Sequence, residues 1–75
     1  MPNLRTVSGE EAIRALERLG FVRVRQRGSH VVLTKSTPGA KLGCVVPLHR
    51  ELKTGTLRGI LRQGKVEADD FLAVL

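Results

Sequence analysis

The sequence predicts an α+β two-layer sandwich in which a three-stranded antiparallel sheet carries its helices on one face. Three observations lead there. An apolar stripe at helical spacing opens the chain, three short apolar runs broken by Gly, Ser and Pro follow, and a second helical stripe comes after them. With 75 residues, 41% of them hydrophobic and 27% charged, the chain fits one small domain over residues 1–75. A core this small needs nearly every regularly spaced apolar side chain and leaves no room for an enclosed cofactor pocket.

Ser8 followed three residues later by Glu11 is a capping-box pattern. Ala12, Ile13, Leu16 and Leu19 then recur at helical spacing, which predicts a helix over about 9–19. Glu10, Arg14, Glu17 and Arg18 alternate in sign on its outer side, the pattern of a solvated face, and Gly20 suits the left-handed residue that closes a helix. Residues 21–26 read as a strand with Val22 and Val24 on one face and Arg23 and Arg25 on the other, and Arg27-Gly28-Ser29 supplies a turn. A second strand is expected over about 30–35, and a loop over 36–43, where Pro38 falls between polar residues and glycines. The third strand, Cys44-Val45-Val46-Pro47, stops at its proline. Residues 48–53 form a polar connection. Thr54 or its neighbour then caps a helix with Leu57, Ile60 and Leu61 as its apolar stripe and Arg58 and Arg62 on another face, ended by Gln63-Gly64. Residues 66–75 read as a closing helix whose Glu67, Asp69 and Asp70 favour the positive end of its dipole. The order is α-β-β-β-α(-α), and its first five elements follow the order of a double-stranded RNA-binding domain.

Charge is unevenly spread. Thirteen Lys and Arg against seven Asp and Glu give +6, but residues 21–65 alone hold ten bases and one acid, a net +9. The first twenty residues balance and the last ten carry −3. A polyanion is the expected partner. Without Trp or Tyr, and with only two Phe, the chain lacks the aromatic platforms that stack single-stranded bases, so contact with nucleic acid is expected through phosphates and sugars. A single cysteine makes no intramolecular disulfide, and no apolar run is long enough for a signal peptide or a membrane span. A soluble cytoplasmic protein is the expectation.

His30 directly follows Gly28-Ser29, so a tight turn presents an imidazole at the rim of the sheet near Arg25 and Arg27. RNA cleavage requires little more: a base for the ribose 2′-OH, cations on the phosphate, and an acid for the leaving 5′-oxygen. On residue type alone, a lone histidine at a strand edge is more often a half-exposed surface residue. His49, after a strand-ending proline, is the candidate for a second acid or base, although a loop histidine is commonly just solvated. Gly55-Thr56 opens a helix with free N–H groups, a natural phosphate cradle helped by Lys53 and Arg58, or a pair that merely shapes the turn. Cys44 reads as a small buried hydrophobe. A zinc site from Cys44, His30 and His49 lacks ligand spacing and a fourth ligand, so no metal and no cofactor is expected.

Several motifs stand in one order: Gly20-Phe21, Arg25-Gln26-Arg27-Gly28-Ser29-His30, Val46-Pro47-Leu48-His49, Glu51-Leu52-Lys53, and Gly55-Thr56-Leu57-Arg58-Gly59-Ile60-Leu61-Arg62-Gln63. Over residues 8–64 the chain resembles the HicA (YcfA-like) mRNA interferase toxins. That resemblance implies a fold like a double-stranded RNA-binding domain, cleavage of mRNA by the histidine of the Gly-Ser-His motif, here His30, and neutralisation by an adjacently encoded HicB-like antitoxin that covers the site. Thr54 departs from the pattern, where proline is frequent, at a position that touches no chemistry. The expected RNA contacts are Arg25, Arg27, Gly28, Ser29, Lys53, Gly55, Thr56, Arg58 and Arg62. Two other classes stay open on sequence chemistry: a non-catalytic double-stranded RNA-binding module, and a small adaptor that binds only a partner protein. Against the RNA-binding module, Lys53, Arg58 and Arg62 are a thin basic cluster for its second helix.

Overall fold

Residues 6–75 are described by the structure, a computed structural model; residues 1–5, part of the expected domain, lie outside the described residues. The elements run α1 (Gly9–Arg18), β1 (Val22–Arg27), β2 (His30–Thr37), β3 (Ala40–Pro47), α2 (Thr54–Gln63) and α3 (Ala68–Ala73). This is the α-β-β-β-α-α order expected, with one antiparallel sheet ordered β1-β2-β3.

The capping box forms as read from the sequence. The Glu11 N–H donates to the Ser8 hydroxyl at 3.0 Å and the Ser8 N–H to the Glu11 carboxylate at 2.9 Å, so donors left over by the first turn are satisfied. Gly20, at φ 101°, takes the left-handed turn out of α1. The chain then crosses to β1 with Phe21 already buried, so the strand begins one residue later than expected.

The β2–β3 hairpin corrects the loop expected over 36–43. Thr37 pairs with Ala40 and Ser36 with Lys41, leaving only Pro38-Gly39 as the turn. Proline's fixed φ suits a tight turn, and the polar side chains around it sit where strand residues need no burial. The closing helix is also shorter than expected. Lys65 adopts φ 55° and the Val66 N–H returns to the Leu61 carbonyl, so α3 starts only at Ala68. Nor is the 48–53 connection merely polar: Leu52 is buried and bridges to Val7.

The core lies between the sheet and the helices. Val31, Leu33, Cys44 and Val46 face Ala12, Ile13, Leu16, Leu57, Ile60, Leu61 and Phe71, all buried. The molecule measures 31 × 31 × 18 Å, the thickness of one sheet and one helical layer. The other sheet face is open. Val22, Val24 and Val45 remain 57%, 55% and 38% exposed, against the expectation that each such side chain is needed inside.

Candidate functional site

In an antiparallel sheet, residues paired in register share a face. Arg25, Val32 and Val45 form one row across the open face, and Arg27, His30 and Pro47 form the next, at the end of the sheet. Arg25, Arg27 and His30 are all exposed. Neither arginine carries an ion pair among the described residues.

The expected alternation of β1 fails at Val24. A bulge between Arg23 and Arg25 puts Arg23 opposite Leu33, on the helix side, and Arg25 opposite Val32, on the open side. The two arginines therefore have different fates. Arg23 reaches Glu10 at 2.9 Å and Glu17 at 3.3 Å, and the hydrogen bond to Glu10 raises its pKa further. The signed face of α1 is thus partly engaged with the sheet, and Arg18 donates to the Val74 carbonyl at 2.8 Å. Arg25 is left for solvent or ligand.

Two residues close the β1–β2 hairpin. Gly28 has φ 57°, and nothing lies within 4 Å of where its Cβ would be. Positive φ at the first central position alone is the pattern of a II′ turn, which matches strand twist. The Gln26 amide donates to the Gly28 carbonyl at 2.9 Å, and the Leu48 N–H donates to the Ser29 carbonyl at 2.6 Å. His30 thus stands on a turn held from both sides, with its imidazole in solvent.

His49 lies at the same end of the sheet, two residues beyond the partner of His30. It is exposed and lines a hollow of about 290 Å³ with Ser8, Glu10, Leu48 and Arg50. Its carbonyl accepts from the Gly9 N–H at 2.8 Å, which ties it to the start of α1.

Helix α2 packs along the edge of β3, and the Val45 N–H on that edge donates to the Gln63 side chain at 3.3 Å. Between them is an open hollow of about 470 Å³ lined by Val45, Thr56, Gly59, Ile60, Arg62 and Gln63. Thr56 and Arg62 therefore join the open sheet face that carries Arg25, Arg27 and His30. At 100° per residue, Arg58 falls on the opposite flank of α2 from Thr56 and Gln63. Lys53 is the N-cap, with no side-chain cap bond, and Thr54, Gly55 and Thr56 are exposed in a first turn without acidic residues. That turn offers bare N–H groups to an anion.

The thiol of Cys44 faces the core, and burial pushes its pKa up to about 11. Among the described residues no group of three or more His, Cys, Asp or Glu is placed to hold a metal ion, and no helix is long and apolar enough to cross a membrane. Gly9, which the sequence does not single out, turns out with Pro47 and Leu48 to brace the histidine turn. The only signal was Gly9 itself, a glycine just inside a capped helix.

No curated relative matches the chain. A family model described as the HicA toxin of bacterial toxin-antitoxin systems matches residues 9–66, from the first residue of α1 to just past α2. Every element that builds the open face and the histidine turn falls inside that match, and the chain belongs to the HicA toxin family, as the toxin of a toxin–antitoxin system.

Proposed function

We propose that this toxin is a metal-independent mRNA endoribonuclease, an mRNA interferase, with His30 as its general acid/base. The observation that carries the reading is the exposed imidazole of His30 on a braced turn, in register with Arg27 and one row from Arg25, neither arginine being ion-paired among the described residues. Cleavage then proceeds within the RNA. His30 takes the proton from a ribose 2′-OH, the freed oxygen attacks the adjacent phosphorus, and the bond to the 5′-oxygen breaks as that oxygen is protonated, leaving a 2′,3′-cyclic phosphate. Arg25 and Arg27 neutralise the charge that builds on the phosphoryl oxygens. His49 is the candidate acid for the leaving group. Gly28 and Ser29 let the backbone approach closely, Lys53, Gly55, Thr56 and Arg62 receive neighbouring phosphates along α2, and Arg58, on the other flank of that helix, meets a phosphate only where the RNA passes over the helix start.

The cognate antitoxin is proposed to be an acidic HicB-like protein, encoded adjacently, that covers this face in the cytoplasm. Val22, Val24 and Val45 support a protein partner there, since aliphatic side chains offer bases no stacking surface but give an interface its apolar centre.

His30→Ala tests the reading. Cleavage of a long mRNA falls about 10²–10⁴-fold while the thermal midpoint stays put, because the side chain is exposed and adds nothing to the core. Cleavage by the wild type persists in EDTA. Unchanged cleavage in His30→Ala removes His30 from the mechanism, and RNA binding without any cleavage leaves a non-catalytic RNA-binding module, the alternative its element order supports.

A further inference from the structure

We infer that Gly9 is a positioning residue for His30, acting through the single peptide unit that joins Pro47 to Leu48. The inference rests on the catalytic reading of His30 and adds to it the device that holds the imidazole in place. A Cβ at position 9 would overlap the Pro47 carbonyl oxygen and stand 2.9 Å from the Leu48 Cα. Both are backbone atoms, which cannot swing aside as a side-chain end does.

The Pro47 oxygen and the Leu48 N–H belong to one planar peptide unit, in which C=O and N–H point in opposite directions. On one side the oxygen abuts Gly9. On the other the N–H donates to the Ser29 carbonyl at 2.6 Å, one residue before His30. Pressure on the oxygen is passed rigidly to the turn. The Gly9 N–H also donates to the His49 carbonyl at 2.8 Å, and Leu52 N–H to Val7 carbonyl at 2.7 Å, so the 47–52 segment is fastened to the entry of α1 at both ends. Gly9 is buried, and glycine is the one residue that lets α1 start this close to the segment. Helix α1 contributes no side chain to the histidine turn, yet its first residue sets where that turn sits.

Gly9→Ala is the test, compared with Ile13→Val as a variant that loosens packing of the same helix without adding an atom beside Pro47 or Leu48. Cleavage kinetics, RNA affinity in a His30→Ala background, and hydrogen exchange at the Leu48 amide are measured well below each midpoint. A reacting group moved by about 1 Å loses on the order of 10²-fold in rate, so Gly9→Ala is expected to lower kcat at least about tenfold. KM and RNA affinity change by less than kcat does, because Arg25, Lys53, Arg58 and Arg62, which hold RNA, lie off the turn that moves. Exchange at Leu48 speeds up, and Ile13→Val keeps the wild-type kcat. Should Gly9→Ala fail to fold, Leu48→Pro removes the N–H that Ser29 accepts while leaving Gly9 in place, and the same loss in kcat is expected. Wild-type kcat in a folded Gly9→Ala, or in Leu48→Pro, overturns the inference while His30→Ala remains inactive. Full cleavage by His30→Ala overturns the catalytic reading, and the positioning role with it.

Discussion

Cys44 sits on the covered face of β3, and its thiol is held neutral up to about pH 11 because the core offers a thiolate no solvation. In the unfolded chain the thiol ionises near its ordinary value of 9.0. Stability from this group is fully present below pH 9 and is lost as pH rises toward 11, at about 1.4 kcal/mol per pH unit in that window. Denaturation of wild type and Cys44→Ala at pH 8 and pH 10 should therefore show the wild type losing about 1 kcal/mol more than the variant. Equal losses would mean that water reaches the thiol. Arg23 and Arg25 make the same point about position. Two residues apart on one strand, the first is engaged by Glu10 and Glu17 and the second stands free on the open face, because a bulge separates them.

At the scale of elements, α2 carries a cost that its packing does not explain. Gly59 lies inside the helix, and nothing stands within 4 Å of where its Cβ would be. Glycine in a helix interior destabilises by roughly 0.5–1 kcal/mol relative to alanine. Gly59→Ala should raise the unfolding free energy from denaturant titration by that amount, and a fall would show that the space is not open. The flanks of α2 differ as well. Arg62 lines the hollow shared with Val45, and Arg25 lies in the same row as Val45 across the sheet. If one strand of RNA follows that track, replacing Arg25 or Arg62 with Gln in the His30→Ala background should flatten the log–log salt dependence of binding by about 0.7 for each. Arg23→Gln, whose arginine is already paired with carboxylates, should leave the slope unchanged.

The whole molecule is a thin plate, 18 Å through, with helices on one side of the sheet and a bare basic surface on the other. Antiparallel sheets open to water usually turn polar residues outward, so the exposed valines among arginines are out of keeping with a free surface. An isologous pairing of two such faces would set Arg25 and Arg27 against their own copies, whereas an acidic partner gains from both the charge and the aliphatic area. Expression of the toxin alone should therefore arrest growth and deplete mRNA. Co-expression of the proposed antitoxin should relieve the arrest without unfolding the toxin, and a His30→Ala form should be harmless. Growth and mRNA left untouched by the intact chain would remove support for both the nuclease and its antidote.

Fold class, element order, the capping box and the Gly28-Ser29 turn were legible in the sequence because each is dictated locally, by spacing, a hydroxyl paired with a carboxylate three residues on, or a residue tolerant of positive φ. His30 and its neighbouring arginines were legible as a candidate site through their motif, since a turn fixes what stands beside it. The β2–β3 pairing was legible, but its end, residues 36–37 and 40–43, was misread as loop, because strand pairing depends on a partner elsewhere in the chain and the polar residues around Pro38 give no local sign of it. The bulge at Val24 was hidden for the same reason: one extra residue shifts which arginine meets Leu33, and only the paired strand reveals it. Gly9 could be recognised only once folding had brought the entry of α1 against Pro47 and Leu48. Local chemistry determined which residues this chain carries to the sheet, while long-range packing decided which face each one occupies and what holds it there.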